Sequence, residues 1–186
     1  MPDKGKNKGK KETAEQNREK IEERYDFSDG LELINEGRYR DAIDYFMRMI
    51  FQYGNIPEAL YNTAFAHYKL REYQNAEDYC RKALDKKYNY SEAWNLLGSI
   101  QMSLKKYEKA LLAFKEAVEF KKGYYVAHYN LAYLLYSLKK YDESIQAFQN
   151  CIRLKKNDPD VHFYMGMAYY KLNQLEDAAA AMQKAI

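Results

Sequence analysis

Three histidines (His67, His128, His162) and two cysteines (Cys80, Cys151) are the groups of this 186-residue chain best suited to acid/base, metal or nucleophilic chemistry. Their spacing does not support it. His128 and His162 lie 34 residues apart with no HExxH pair, and the cysteines lie 71 residues apart with no CxxC. Nothing around either thiol marks it as a low-pKa nucleophile, so core-filling cysteines and half-buried structural histidines are expected. A glycine-rich phosphate loop, a nucleophile elbow and paired carboxylates off the solvated helix faces are also missing from the sequence. The expectation is therefore no enzyme, no cofactor and no metal. The twenty tyrosines are another matter. Many fall at helical spacing in runs such as Tyr129, Tyr133 and Tyr136, and rings of this kind do the chemistry of recognition, with large contact area and few rotors to freeze.

The elements that position these rings follow from a period. Tyr39, Tyr73, Tyr107 and Tyr141 are separated by 34 residues each, and the next step reaches Leu175. The same step links Ala42, Ala76, Ala110, Ser144 and Ala178, and also Gly30, Ala64, Gly98, Ala132 and Gly166. Leu70, Leu104, Leu138 and Leu172 form a further column. Such coincidence without an insertion marks a repeat architecture. Each unit reads as two helices: SEAWNLLGSIQMSL, a polar KK break, then YEKALLAFKEAVEF, with apolar residues three and four apart. Ser91 with Glu92 is the expected start of one helix, and Asn157-Asp158-Pro159 the expected stop and restart of another. Only 3 prolines and 8 glycines interrupt the chain, which agrees with an all-α fold. A single hairpin cannot bury its apolar face, whereas stacked hairpins bury one another's. Gly98 and Ala110 are expected where the two axes of a hairpin cross closely.

The set Trp94, Leu97, Gly98, Ala110, Phe114 and Ala117 resembles the tetratricopeptide repeat signature, as does Met165, Gly166, Tyr169, Ala178, Met182 and Ala185. The resemblance spans residues 23–186 as units 23–56, 57–90, 91–124, 125–158 and a shortened 159–186. It implies an all-α, right-handed α-solenoid of helix-turn-helix repeats. Asp26 and Asp29 depart from the pattern and read as a polar cap on the first hairpin. His67 and Gln101 replace a usual large apolar residue, and Cys80 and Cys151 an aromatic and a small one. At the other end Met182, Ala185 and Ile186 face no neighbour, which reads as a truncated end or as a surface that docks on another subunit.

The resemblance further implies that the first helices line a concave groove. The residues placed there are Phe27, Leu31 and Ile34; Tyr61, Asn62, Phe65 and Tyr68; Asn95, Ser99 and Met102; Tyr129, Asn130, Tyr133 and Tyr136; Phe163, Met167 and Tyr170. The packing columns are filled by other residues, so this stripe is expected to be a second apolar face, largely solvated. Family members that hold a C-terminal carboxylate do so with lysines, an arginine and asparagines. Here Tyr61, Phe65, Glu92, Val126 and Asn130 stand in comparable places, so no carboxylate clamp is expected. Asn62 and Asn130 are similar to asparagines that hold a peptide backbone in some members. The expected function is a protein-interaction scaffold or cargo chaperone that takes an apolar or amphipathic segment, such as a helix, in the groove. The alternatives are a self-assembling array that uses its C-terminal face, and an RNA-binding helical repeat.

Charge disfavours the RNA alternative. The net charge of +3 resides in residues 1–20, where seven basic residues meet four acidic ones, so the array itself is neutral and offers no excess of cations to phosphates. The first dozen residues carry Lys4, Lys6, Lys8, Lys10 and Lys11 and almost nothing apolar. Such a segment does not repay its ordering entropy and is expected to be a disordered, solubilising tail, with weak contact to anionic membrane as the alternative role. Residues 13–22 are expected to extend the first helix, with Thr13 and Gln16 as a capping box. With no signal-peptide pattern, no membrane-spanning stretch and unpaired cysteines, the expected location is the cytoplasm.

Overall fold

A computed structural model describes residues 25–185. The basic tail, the proposed helical extension with Thr13 and Gln16, and Ile186 lie outside the described residues. Among the described residues ten helices follow one another: α1 (Ser28–Asn35), α2 (Tyr39–Tyr53), α3 (Pro57–Lys69), α4 (Tyr73–Lys86), α5 (Ser91–Ser103), α6 (Tyr107–Phe120), α7 (Tyr125–Ser137), α8 (Tyr141–Leu154), α9 (Pro159–Lys171) and α10 (Leu175–Gln183). They pair as five hairpins, each second helix also packing on the first helix of the next hairpin.

The turn inside each hairpin has a chemical cause. Arg71, Lys105, Lys139 and Asn173, spaced by 34, sit in the left-handed region at φ near 60°, and Gly37 holds the equivalent place in the first hairpin at 76°. Their amides and the following ones turn back on the last carbonyls of the first helix, as in Lys105 N to Met102 O (2.9 Å) and Lys106 N to Gln101 O (2.8 Å). This closes the helix end and reverses the chain. Between hairpins, a ring N–H clamps the loop. Trp94 Nε1 donates to the Tyr88 carbonyl at 2.6 Å. His128 Nε2 meets the Lys122 carbonyl at 2.9 Å and His162 Nε2 the Lys156 carbonyl at 3.3 Å. Two of the three histidines therefore stand in for a tryptophan as loop clamps. His67 instead places Nδ1 2.6 Å from Glu72 and stacks on Tyr79. Cys80 and Cys151 are buried, and Cys80 Sγ donates to the Ala93 carbonyl. No cluster of metal-ligating side chains occurs among the described residues.

The small residues of the first helices make room for rings of the second. A Cβ on Gly98 would come within 2.6 Å of the Phe114 ring, and one on Gly30 within 2.5 Å of Phe46. Gly98 thus faces Phe114, four residues beyond Ala110. Phe46, Phe114 and Phe148 are fully buried, and each removes enough apolar surface from water to contribute about 2–3 kcal/mol. Asp158 caps α9 by accepting from Asp160 N, ahead of Pro159, as the sequence suggests. Ser91 differs: α5 is preceded by Tyr90 with no side-chain cap, and the Ser91 hydroxyl donates to Glu92 instead. Asp26 accepts from Ser28 N at 2.9 Å and both Asp26 and Asp29 are exposed, as befits a polar start.

The first helices α3, α5, α7 and α9 approach one another, whereas the second helices make no comparable approach among the described residues. The stack therefore bends with its first helices on the inner side. No described helix is long and apolar enough to cross a membrane.

Candidate functional site on the inner face

The inner face is built by residues three and four apart on the first helices, so each hairpin contributes one stripe. Leu31, Phe163 and Tyr170 are the open positions, with 42, 47 and 54% of their surface exposed. Ile34, Tyr61, Phe65, Tyr68, Asn95, Met102, Tyr129, Asn130, Tyr133, Tyr136 and Met167 are half-buried, and Asn62 and Phe27 are buried. The expectation of a largely solvated second face is thus corrected. Rings pack on neighbouring rings of the same hairpin, of the loop that follows it or, between α7 and α9, of the next first helix.

The contacts are specific. Tyr61 lies against Tyr90, Tyr68 against Tyr73, and Tyr129 against Phe148. Tyr133 and Tyr136 both pack on Tyr164, at 5.2 and 5.7 Å between ring centroids. Burial raises the pKa of Tyr61 and Tyr136, and it lifts Tyr129 to about 12 with Asp160 nearby. These phenols therefore stay protonated at neutral pH and offer O–H groups from otherwise apolar rings. Lys69 lies over Phe65, 5.3 Å from the ring centroid.

The centre of the face is more polar. Asn130 Nδ2 donates to Asn95 Oδ1 at 2.9 Å. The Ser99 hydroxyl is used by the Asn95 carbonyl. Glu92 pairs with Lys121 at 2.7 Å, and Lys121 also lies over Tyr124, repeating the arrangement of Glu58, Lys87 and Tyr90 one hairpin earlier. In the fourth hairpin Val126 replaces the glutamate, and Lys155 turns to Asp158 and the Tyr125 ring. Asn62, the other asparagine at this register, is buried on α3 and makes no side-chain hydrogen bond among the described residues.

Sequence reasoning placed one stripe per helix and so missed Tyr164, Tyr90 and Tyr124. Tyr164 stands one residue beyond Phe163, in register with Asn62, Leu96 and Asn130, and that register was the signal available. Tyr90 and Tyr124 precede their helices and carry no helical periodicity to betray them.

Family models described as tetratricopeptide repeat match residues 29–91 and 91–124, and one described as TPR repeat matches residues 132–173. No curated protein sequence matches the chain. Among solved structures, MamA is similar with a TM-score of 0.78 at 21% identity, over 84% of this chain and 91% of that one. MamA from Desulfovibrio magneticus RS-1 follows with a TM-score of 0.76 at 22% identity, over 84 and 88%. YrrB, described as a TPR protein with an unusual peptide-binding site, has a TM-score of 0.72 at 20% identity, over 84 and 81%. At these identities the likeness concerns the fold, which is the right-handed α-solenoid that the tetratricopeptide resemblance implied. Repeat, fold and family models agree, and the chain belongs to the tetratricopeptide repeat family, whose architecture is that of a protein-interaction scaffold.

Proposed function

We propose that the chain is a scaffold or cargo chaperone that holds an apolar or amphipathic peptide segment against its inner face. The observation that carries the reading is the set of rings on three of the first helices, Tyr61 and Phe65 of α3, Tyr129 and Tyr133 of α7 and Phe163 of α9, half-open or open to solvent on either side of a more polar stretch from α5. YrrB, a protein of the same fold, has a peptide-binding site, and a peptide fits the elongated face better than a small molecule does. The unit boundaries 23–56, 57–90, 91–124, 125–158 and 159–186 belong to the same proposal, as does a location in the cytoplasm. Affinity capture from the source cell with the wild-type chain beside a Phe65→Ala/Tyr133→Ala variant tests it. The variant is expected to bind the captured protein more weakly by about 1–3 kcal/mol while keeping its helical circular dichroism. Equal capture by a folded variant would remove the inner face as the site.

A second reading is self-association through Met182, Ala185 and the adjoining Ile186. It is favoured by α10, where Ala179 is exposed and Met182 half-exposed, whereas Phe148, one repeat before Met182, is buried against Tyr164 of α9. Sedimentation over a concentration series checks it, and a constant monomer mass would remove it.

A further inference from the structure

The inner face is not uniform, and its centre bears on what it selects; the inference below rests on the groove reading above. Rings flank the middle on both sides, Phe65 and Tyr68 from α3 and Tyr133 and Tyr136 from α7. Between them α5 presents Asn95 and Ser99 where α3 and α7 present Tyr61, Phe65, Tyr129 and Tyr133. Asn95 and Asn130 bridge α5 and α7 through one hydrogen bond of 2.9 Å. Burial raises the pKa of the Tyr124 phenol, Glu92 adds to the rise, and a hydrogen bond with Asn95 opposes it, which places all three groups together.

This node has spare capacity. Asn130 uses one N–H in that bond, and its side-chain oxygen and second N–H make no other hydrogen bond among the described residues. Asn130 is half-buried, so water reaches this side chain in the unliganded protein. An apolar side chain laid over the node would remove that water and return nothing, whereas a group with both a donor and an acceptor would replace it. Sites that hydrogen-bond a ligand group discriminate strongly against analogues that lack it. A charged group gains less here, because the one carboxylate of the node, Glu92, is already paired with Lys121 at 2.7 Å.

We propose that the inner face selects an amphipathic peptide segment whose groove-facing side chains are apolar at both ends and interrupted at the centre by one neutral side-chain amide or hydroxyl, seated on Asn95, Asn130 and Tyr124. The device converts a generally sticky surface into one with a register. Rings at either end supply contact, and the central amide fixes where along the face the segment stops.

A phage-displayed library of random 16-residue peptides, panned against the full chain, tests this. Enriched peptides are expected to carry Asn, Gln, Ser or Thr between two apolar groups. The best of them, resynthesised, is expected to lose affinity by about tenfold when that residue becomes Leu. An Asn95→Leu/Asn130→Leu variant removes both partners at once and is expected to reverse the preference. If the double variant fails to fold, Asn130→Asp serves instead and is expected to shift the enriched central residue to Lys or Arg. A Leu-centred peptide that binds the wild type as tightly as its amide parent would overturn the proposal, and so would a preference that survives in the variants. Failure to enrich any peptide would count instead against the groove reading beneath it.

Discussion

The junction between the second and third hairpins and the junction between the fourth and fifth solve the same packing problem with opposite chemistry. In the first, Glu77 of α4 is 3% exposed, in a register position where Ile43, Leu111 and Ile145 stand in other hairpins. Its carboxylate accepts from Arg81 on its own helix at 2.7 Å and, across to the third hairpin, from Lys106 at 2.6 Å and Gln101 at 3.3 Å. In the second, rings do the work. Phe148 is fully buried and lies parallel to Tyr164, which also receives Tyr133 and Tyr136. A polar pin is directional and intolerant of slippage, whereas rings add area and tolerate small shifts. The lesson is that one 34-residue frame accepts either, provided that a buried charge is matched by opposite charge.

The comparison breaks most readily at the rings. Phe148→Ala leaves a large hole next to Tyr164 and Tyr129, and it is expected to destabilise the array by about 3–5 kcal/mol in urea unfolding. Amides of α8 and α9 should lose hydrogen-exchange protection first. Protection lost equally in α4 and α5 would mean that the two junctions act as one unit.

Glu77→Gln is expected to cost about 3 kcal/mol, because Lys106 and Arg81 lose their anion while remaining partly hydrated. The junctions should also differ in acid. Burial pushes the Glu77 pKa up, but the hydrogen bonds from Lys106, Arg81 and Gln101 outweigh it and hold it at about 2. A carboxylate depressed in the folded state stabilises above its unfolded value of about 4.3 and loses that contribution as pH falls toward the folded value. Exchange protection in α4 and α5 should therefore fall between about pH 4.5 and 2, and Glu77→Gln should flatten that dependence. A wild-type profile without slope in this window would contradict the pinning role.

The smallest effect sharpens the frame common to both junctions. Lys105→Gly relieves the left-handed residue of its Cβ and is expected to raise stability by about 0.5–1 kcal/mol, read as a small increase in urea midpoint. A decrease would show that the lysine side chain contributes more than its backbone conformation costs.

Much of the fold was legible because repetition multiplies weak signals. One Gly98 near one Phe114 says little, but Gly30, Ala64, Gly98, Ala132 and Gly166 in one column require a close approach, and Phe46 and Phe114 fill it. Asp158-Pro159 was readable for a local reason, since cap and fixed φ act within three residues. The inner face was less legible. Periodicity tells which residues share a side of one helix and is silent on how far the next helix lies, so it could not show Tyr164 packing on Tyr133. Nor could it show Asn130 turning to Asn95, because that bond depends on the relative rotation of two helices 35 residues apart in sequence. The Glu77 pin was hidden for the same reason: its three partners are four, 24 and 29 residues away.

The direct test of the central claim compares the inner face with the outer one. A photo-crosslinking benzophenone residue is placed at Tyr133 on the inner face and, separately, at Leu112 on α6, which is 64% exposed on a second helix. After irradiation in the source cell, the Tyr133 position is expected to yield a discrete adduct that disappears with Phe65→Ala, and the Leu112 position is expected to yield none. Adducts from Leu112 alone would place the partner on the outer face and contradict the account.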